Sequence, residues 1–399
     1  MYARILKLAS HSAVYGVASV ASKIVALLLL PLYTRYLTPT MYGTAEVILT
    51  LSLFVSAFAR LGLQNAMMRF FYDAKPEERM TVGVRNVRAA LTATYISAIV
   101  AALLLLALRH PLASFFLGDA NYTFLIKVAA LGLFANIAYS ALTATFRLEQ
   151  RPAAFLAVSL ANIAVSTGLT YWFVTGLKWG ARGLLLGNFM GFLVLVPVAM
   201  AMQRTFIKPL FEWRILKPML KFALPTIPMA VAYQSLTLID RSVIRHTGGG
   251  LDQLGVYALA AKFAGVVMLV VTALQLSWQP FAYSIEDDGE AKRSFAVVTT
   301  WFAAIMGWLV AGLALLADPV VKLMAPPAYE QAGEIVPLLA LGTGIFGAYF
   351  LVGIGASRVK RPGWHVLVAF GAVAVSLVAN LLLVPWLGVM GAAVADVLA

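Results

Sequence analysis

Apolar residues in this chain come in runs of about twenty, separated by short polar stretches, and no run alternates strictly between apolar and polar positions. An α-helix needs a run of about that length to cross a hydrocarbon core about 30 Å thick, whereas barrel strands need about ten alternating residues. The pattern predicts spanning helices at 12–33, 44–66, 86–108, 123–145, 153–176, 183–203, 222–246, 255–280, 296–317, 333–355 and 364–386. A further helix begins near 391, and nine residues remain from Gly391 to Ala399. They make about 14 Å of helix, so the natural chain is expected to run on past residue 399. The first run is too long, and too closely followed by a second, to read as a cleaved signal peptide.

Polar residues break the apolar pattern in a few spans. Lys23 falls mid-way along the first, and Ser12, Gly16, Ser19 and Ala26 share its helix face. In the second, Glu46, Thr50, Leu53, Ala57, Arg60 and Gln64 follow the same three- and four-residue steps. An ionisable group at membrane depth is costly and usually faces a bundle interior or a wet cavity. Segment seven is broken by Pro225 and Pro228, then places Tyr233, Thr237 and Asp240 on one face with Arg241 beside them; segment eight carries Lys262, Gly265, Thr272 and Gln279. Segments one, two, seven and eight thus hold nearly all the intramembrane charge. A plainer reading stands beside this one. Arg60, Glu46 and Lys262 lie close enough to segment ends to be interfacial anchors, and Asp240 and Arg241 could pair at the outer mouth.

Composition agrees with the pattern. The 399 residues are 62% hydrophobic and 12% charged, with a mean hydropathy of +0.88, against about 25% charged residues in a soluble domain. The net charge of +13 is mostly an orientation signal. With the N-terminus inside, nineteen Lys and Arg fall in the inner loops and eight in the outer ones, which places that terminus in the cytoplasm and leaves no nucleic-acid patch to explain. There are no cysteines, hence no disulfides, thiolate metal sites or thiol nucleophiles, and the four histidines show no ligand spacing. Trp213, Trp278 and Trp364 sit where an aromatic belt is expected. No phosphate-binding glycine loop, HExxH or GxSxG occurs. Gly248–Gly250 reads as a turn, and the acidic run Glu286–Asp288 as solvated surface.

The chain also repeats itself. Arg151–Pro152 recurs as Arg361–Pro362 at an offset of 210, and Gly180-Ala-Arg-Gly183 as Gly388-Val-Met-Gly391 at 208. Leu37-Thr-Pro-Thr-Met-Tyr-Gly43 has an echo in Leu251-Asp-Gln-Leu-Gly255 at 212, and Gln64 matches Gln279 at 215. The expected fold is therefore all-α and polytopic. Two parallel six-helix repeats, 1–203 and 222–399, are joined by the basic linker 204–221 around a central cationic cavity.

On these stretches the chain resembles the polysaccharide flippases of the multidrug/oligosaccharidyl-lipid/polysaccharide exporter superfamily. The resemblance rests on Ser19-Val-Ala-Ser-Lys23, Pro31-Leu-Tyr-Thr-Arg-Tyr-Leu-Thr-Pro39, Tyr42-Gly43 and Glu46, on Arg60-Leu-Gly-Leu-Gln-Asn-Ala66 with Arg69-Phe-Phe, and on the Arg-Pro loops. It implies a non-enzymatic transporter of the bacterial inner membrane that moves a polyprenyl-diphosphate-linked oligosaccharide by alternating access. Lys23, Arg60 and Lys262, with Arg241, would hold the headgroup. Glu46 and Asp240 would serve gating or coupling to protons or sodium, with no other cofactor. Expected partners are the lipid-linked oligosaccharide, bilayer lipids and polysaccharide assembly proteins. Members of that family commonly have twelve to fourteen helices, and this chain stops inside its twelfth. The rivals are a cation-coupled drug exporter of the same superfamily, whose cavity would be lined by acids, and a membrane glycosyltransferase or polymerase, which would need a large acidic extramembrane loop.

Overall fold

The computed structural model describes residues 21–399 apart from 22, 286 and 359–362, and the backbone alone at 276, 277, 279, 280, 283, 284, 288, 355–358, 363 and 364. Most of the first predicted segment, Glu286, the Arg361–Pro362 turn and the side chains of Gln279 and Trp364 lie outside the described residues. The described helices are α1 (Leu30–Tyr36), α2 (Pro39–Ala59), α3 (Leu63–Tyr72), α4 (Val84–Ala107), α5 (Arg109–Leu117), α6 (Thr123–Leu148), α7 (Pro152–Tyr171) and α8 (Gly180–Met202). They continue with α9 (Trp213–Ala223), α10 (Ile227–Thr247), α11 (Gly250–Ser284), α12 (Asp288–Met324), α13 (Ala332–Arg358), α14 (Gly363–Leu387) and α15 (Val389–Leu398). No strand occurs among the described residues.

Ten helices are long and apolar enough to cross a membrane, and the predicted segments from 44–66 to 364–386 each coincide with one of them. The second segment is shifted toward the N-terminus and runs from Pro39 to Ala59. Leu61 and Gly62 then take left-handed backbone (φ 51° and 62°), so the helix stops and restarts as α3. Gly62 is required there, because a Cβ would lie 2.7 Å from the carbonyl O of Ala223. The break expected at Pro225 and Pro228 is present as a 3₁₀ turn, Leu224–Thr226, between α9 and α10. Trp278 departs from the belt expectation. It is buried, and its indole N–H donates to the carbonyl of Leu351 at 3.3 Å.

The chain forms two compact units. One is Thr44–Leu238; the other combines the described residues up to Gly43 with Ile239–Ala399. In the first, α6 is the central helix, buried along most of its length. Leu63, Met67 and Phe71 of α3, Val87 and Leu91 of α4, Ala141 and Leu148 of α6, and Met219 of α9 form one apolar cluster. Helix α8 meets α7 and the turn that follows it through glycines one turn apart: Gly183 faces the backbone of Phe173 in that turn, Gly187 the backbone of Thr170, and Gly191 the side chain of Ser166. Such small-residue ladders let helix backbones close where lipid supplies no hydrophobic drive.

In the second unit, the Tyr329 hydroxyl donates to Leu37 O at 3.0 Å and Thr34 to Met324 O at 3.2 Å, which ties α1 to the end of α12 and the turn after it. Tyr42 and Tyr329 meet edge to face at 6.4 Å. The turn from α14 to α15 uses Gly388 at φ 59°, and Gly391 packs on the carbonyl of Leu383.

Candidate functional site

In the first unit, the turn that ends α2 aims Arg60 at α6. Its Nη2 donates to Asn136 Oδ1 at 2.9 Å and its Nη1 to Ser140 Oγ at 3.2 Å. Gln64, the second residue of α3, donates from Nε2 to the Ser140 carbonyl and hydroxyl, both at 2.9 Å. Asn136 and Ser140 are four residues apart on α6 and so present one face. Every one of these acceptors is neutral. The ion pairs Arg69–Asp73, Arg85–Glu212 and Arg151–Glu149 leave Arg60 out. The buried Nε of Arg60 has no hydrogen-bond partner. A guanidinium fixed in orientation by amides and hydroxyls keeps its full charge, and its fork geometry suits a phosphate or carboxylate. Glu46 belongs to the same unit and is buried on α2, with the Thr50 hydroxyl bonded to its carbonyl at 2.8 Å.

The second unit holds the other candidates. Lys23 Nζ donates to Thr272 Oγ1 on α11 at 3.4 Å, a long contact to a neutral group. Lys262 is exposed on the same helix, ten residues earlier, or roughly 15 Å along the axis. Gly265 leaves open space between them, with nothing within 4 Å of where a Cβ would stand.

Asp240 and Arg241 are both buried, at 4% and 8% exposure. Asn380 of α14 donates from Nδ2 to Asp240 Oδ1 at 2.8 Å. Tyr257 of α11 donates its hydroxyl to Asp396 Oδ2 of α15 at 2.7 Å. The charges of Asp240 and Asp396 act on each other, and that of Arg241 acts on both.

Sequence reasoning found Lys23, Glu46, Arg60, Asp240, Arg241 and Lys262. It missed Asn136, Ser140, Tyr257, Asn380 and Asp396. Polar residues inside otherwise apolar spans were the available signal for Asn136 with Ser140 and for Asn380.

Apolar spanning helices, a buried guanidinium with neutral partners in one unit and two buried acids in the other are features of a polytopic membrane protein. Residues 32–332 match the family described as "Polysaccharide biosynthesis protein", and the chain belongs to that family. It is similar to the succinoglycan biosynthesis transport protein ExoT of Rhizobium meliloti (strain 1021), with 24% identity over 384 residues, 91% of this chain and 73% of that protein. Among solved structures it resembles an inward-facing multidrug resistance MATE family transporter of the MOP superfamily, with a TM-score of 0.76 at 13% identity over 94% of this chain and 90% of that one. It also resembles the lipid II flippase MurJ in an inward closed conformation, with a TM-score of 0.74 at 14% identity over 96% of this chain and 83% of that one. At these identities the structural likeness establishes the fold. The protein is a multi-pass membrane transporter of the flippase and exporter kind, associated with polysaccharide biosynthesis.

Proposed function

We propose that the protein is a flippase carrying a polyprenyl-diphosphate-linked oligosaccharide across the bacterial inner membrane by alternating access, with its N-terminus in the cytoplasm. The observation that carries this reading is the Arg60 site, a fixed guanidinium whose partners are all neutral. A diphosphate bearing sugars does not enter hydrocarbon unaided, and a cation in a low-dielectric wall is a strong partner for it. Lys23 and Lys262 extend the cationic set, and Gln64, Asn136 and Ser140 orient Arg60. The lobes are 1–203 and 222–399, with 204–221 as linker, and polysaccharide assembly proteins are the expected partners.

Arg241 belongs to a different task in this reading. Its charge acts on Asp240 and Asp396, so it balances the acid pair and is not reserved for cargo. The pair, framed by Asn380 and Tyr257, is the proposed carrier of the coupling proton or sodium ion, and Glu46 is assigned to gating.

The acid pair also favours a second reading, a cation-coupled drug exporter. A vesicle assay offering a fluorescent polyprenyl-diphosphate sugar and a cationic dye as competing cargoes separates the two. Movement of the lipid, lost in Arg60→Gln, supports the flippase. Movement of the dye alone makes the exporter correct and leaves Arg60 a structural residue.

A further inference from the structure

The linker 204–221 is pinned to the first unit along its inner side. Arg88 donates twice to the Thr205 carbonyl, at 2.8 and 2.6 Å. The Leu210 N–H donates to the Thr92 hydroxyl at 3.0 Å. Glu212, the linker's single acid, pairs with Arg85 at 2.7 Å. Phe222, just beyond the linker in α9, receives the Arg69 guanidinium 4.6 Å above its ring. These contacts use the acid and hold α9 in one orientation.

That orientation separates two faces. Leu216, Met219 and Ala223 are buried, whereas Arg214, Lys217 and Lys221 are exposed. At 100° per residue the centres of the two sets lie roughly 160° apart around the helix. The outward face therefore carries cations with no acid among them. Lys208, Phe211 and Trp213 are also exposed, the two aromatics at 65% and 58%. Aromatics interleaved with cations, on an amphipathic helix between two spanning segments, match a bilayer surface better than an acidic protein, which would bring carboxylates but no apolar layer for the rings.

We propose that the outward face of the linker and α9 is a docking surface for anionic lipid headgroups of the leaflet it borders, with Lys208, Arg214, Lys217 and Lys221 contacting phosphates and Phe211 and Trp213 entering the interface. This surface is distinct from the cargo site and needs no lipid-linked sugar. It makes the connection between the repeats sensitive to the charge of the membrane.

The chain has no cysteine, so Phe211→Cys gives a single attachment point for an environment-sensitive fluorophore. The full-length labelled protein is reconstituted into phosphatidylcholine vesicles, with or without phosphatidylglycerol. A blue shift of the emission is expected only with phosphatidylglycerol. It should reverse at about 1 M salt, where the Debye length is about 3 Å, and disappear when Lys208, Arg214, Lys217 and Lys221 are all Gln. An unchanged melting temperature in that variant shows that the fold survives; if it melts early, Lys217→Gln with Lys221→Gln is used. Identical emission in the two vesicle types overturns the proposal, as does a shift that salt leaves in place. Emission that responds only when cytoplasmic protein is added also overturns it, and assigns the face to an acidic protein partner.

Discussion

Asn380 holds Asp240 across 140 residues of sequence, its amide 2.8 Å from the carboxyl oxygen, and both side chains are fully enclosed. The same amide reaches the Ser376 carbonyl at 2.9 Å, so one side chain anchors α10 to α14 and fixes where the Asp240–Asp396 pair sits. Asn380→Leu removes the donor and leaves a buried acid without it. A loss of about 1–3 kcal/mol is expected, read as a lower melting temperature in detergent. Adding Asp240→Leu should restore part of that loss, because the orphaned group is then gone. Full additivity of the two substitutions would mean that the pair does not interact.

Asp396→Asn separates coupling from cargo movement. Asn can still accept from the Tyr257 hydroxyl, but it carries no charge and cannot take up or release a proton. Uptake driven by a proton or sodium gradient is expected to fall roughly tenfold or more, about 1.4 kcal/mol. Gradient-independent exchange of labelled cargo should continue. Unchanged gradient-driven uptake would remove the acid pair from coupling.

Arg60→Lys tests whether the planar fork matters as well as the charge. A Lys ammonium retains the charge but cannot reproduce the two parallel contacts to Asn136 and Ser140. Hydrogen bonds to charged groups contribute about 1.5–3 kcal/mol, so flipping rates should fall roughly ten- to a hundredfold, with further loss in Arg60→Gln. Asn136→Ala should lie between Arg60→Lys and the parent, since it loosens the guanidinium without removing it. Parental rates in all three would leave Arg60 without a role in binding.

Much of the fold was legible because bilayer thickness fixes the length of an apolar run, and the spans after the first coincide with helices. The break after Ala59 was not. It uses Leu61 as well as Gly62 in left-handed backbone, and a non-glycine residue in that conformation is not signalled by its own identity. Arg60 and Asp240 were visible because charge is conspicuous in an apolar span. Their partners were not, since Asn136 and Asn380 become informative only once the helices that face them are known. Asp396 lay in a stretch read from the sequence only as the start of a span. Trp278 looked like a belt residue, and burial against Leu351 is a tertiary outcome that position along a span does not encode.

The echo between Leu37–Gly43 and Leu251–Gly255 proves to be a physical contact. A Cβ at Gly43 would collide with the carbonyl of Leu251, and a Cβ at Gly255 with the carbonyl of Pro39, the residue 212 positions before Leu251. Thr40 donates its hydroxyl to Asp252 at the same offset of 212. The crossing is therefore reciprocal, each of the two helix starts packing a glycine on the other's backbone. Gly255→Val would force the backbones of α2 and α11 apart, and overpacking of this kind costs about 1–3 kcal/mol. Function can be tested without that damage. Because the chain has no cysteine, Thr40→Cys with Asp252→Cys offers one pair to a short bifunctional maleimide. In the proposed orientation this crossing lies at the outer ends of the spans, and the prediction is that it opens when cargo leaves. Cross-linking is expected to stop lipid transport while either single cysteine variant, treated identically, retains it. Cross-linked protein that still transports at the parental rate would show that the crossing stays closed throughout the cycle and that the exit lies elsewhere.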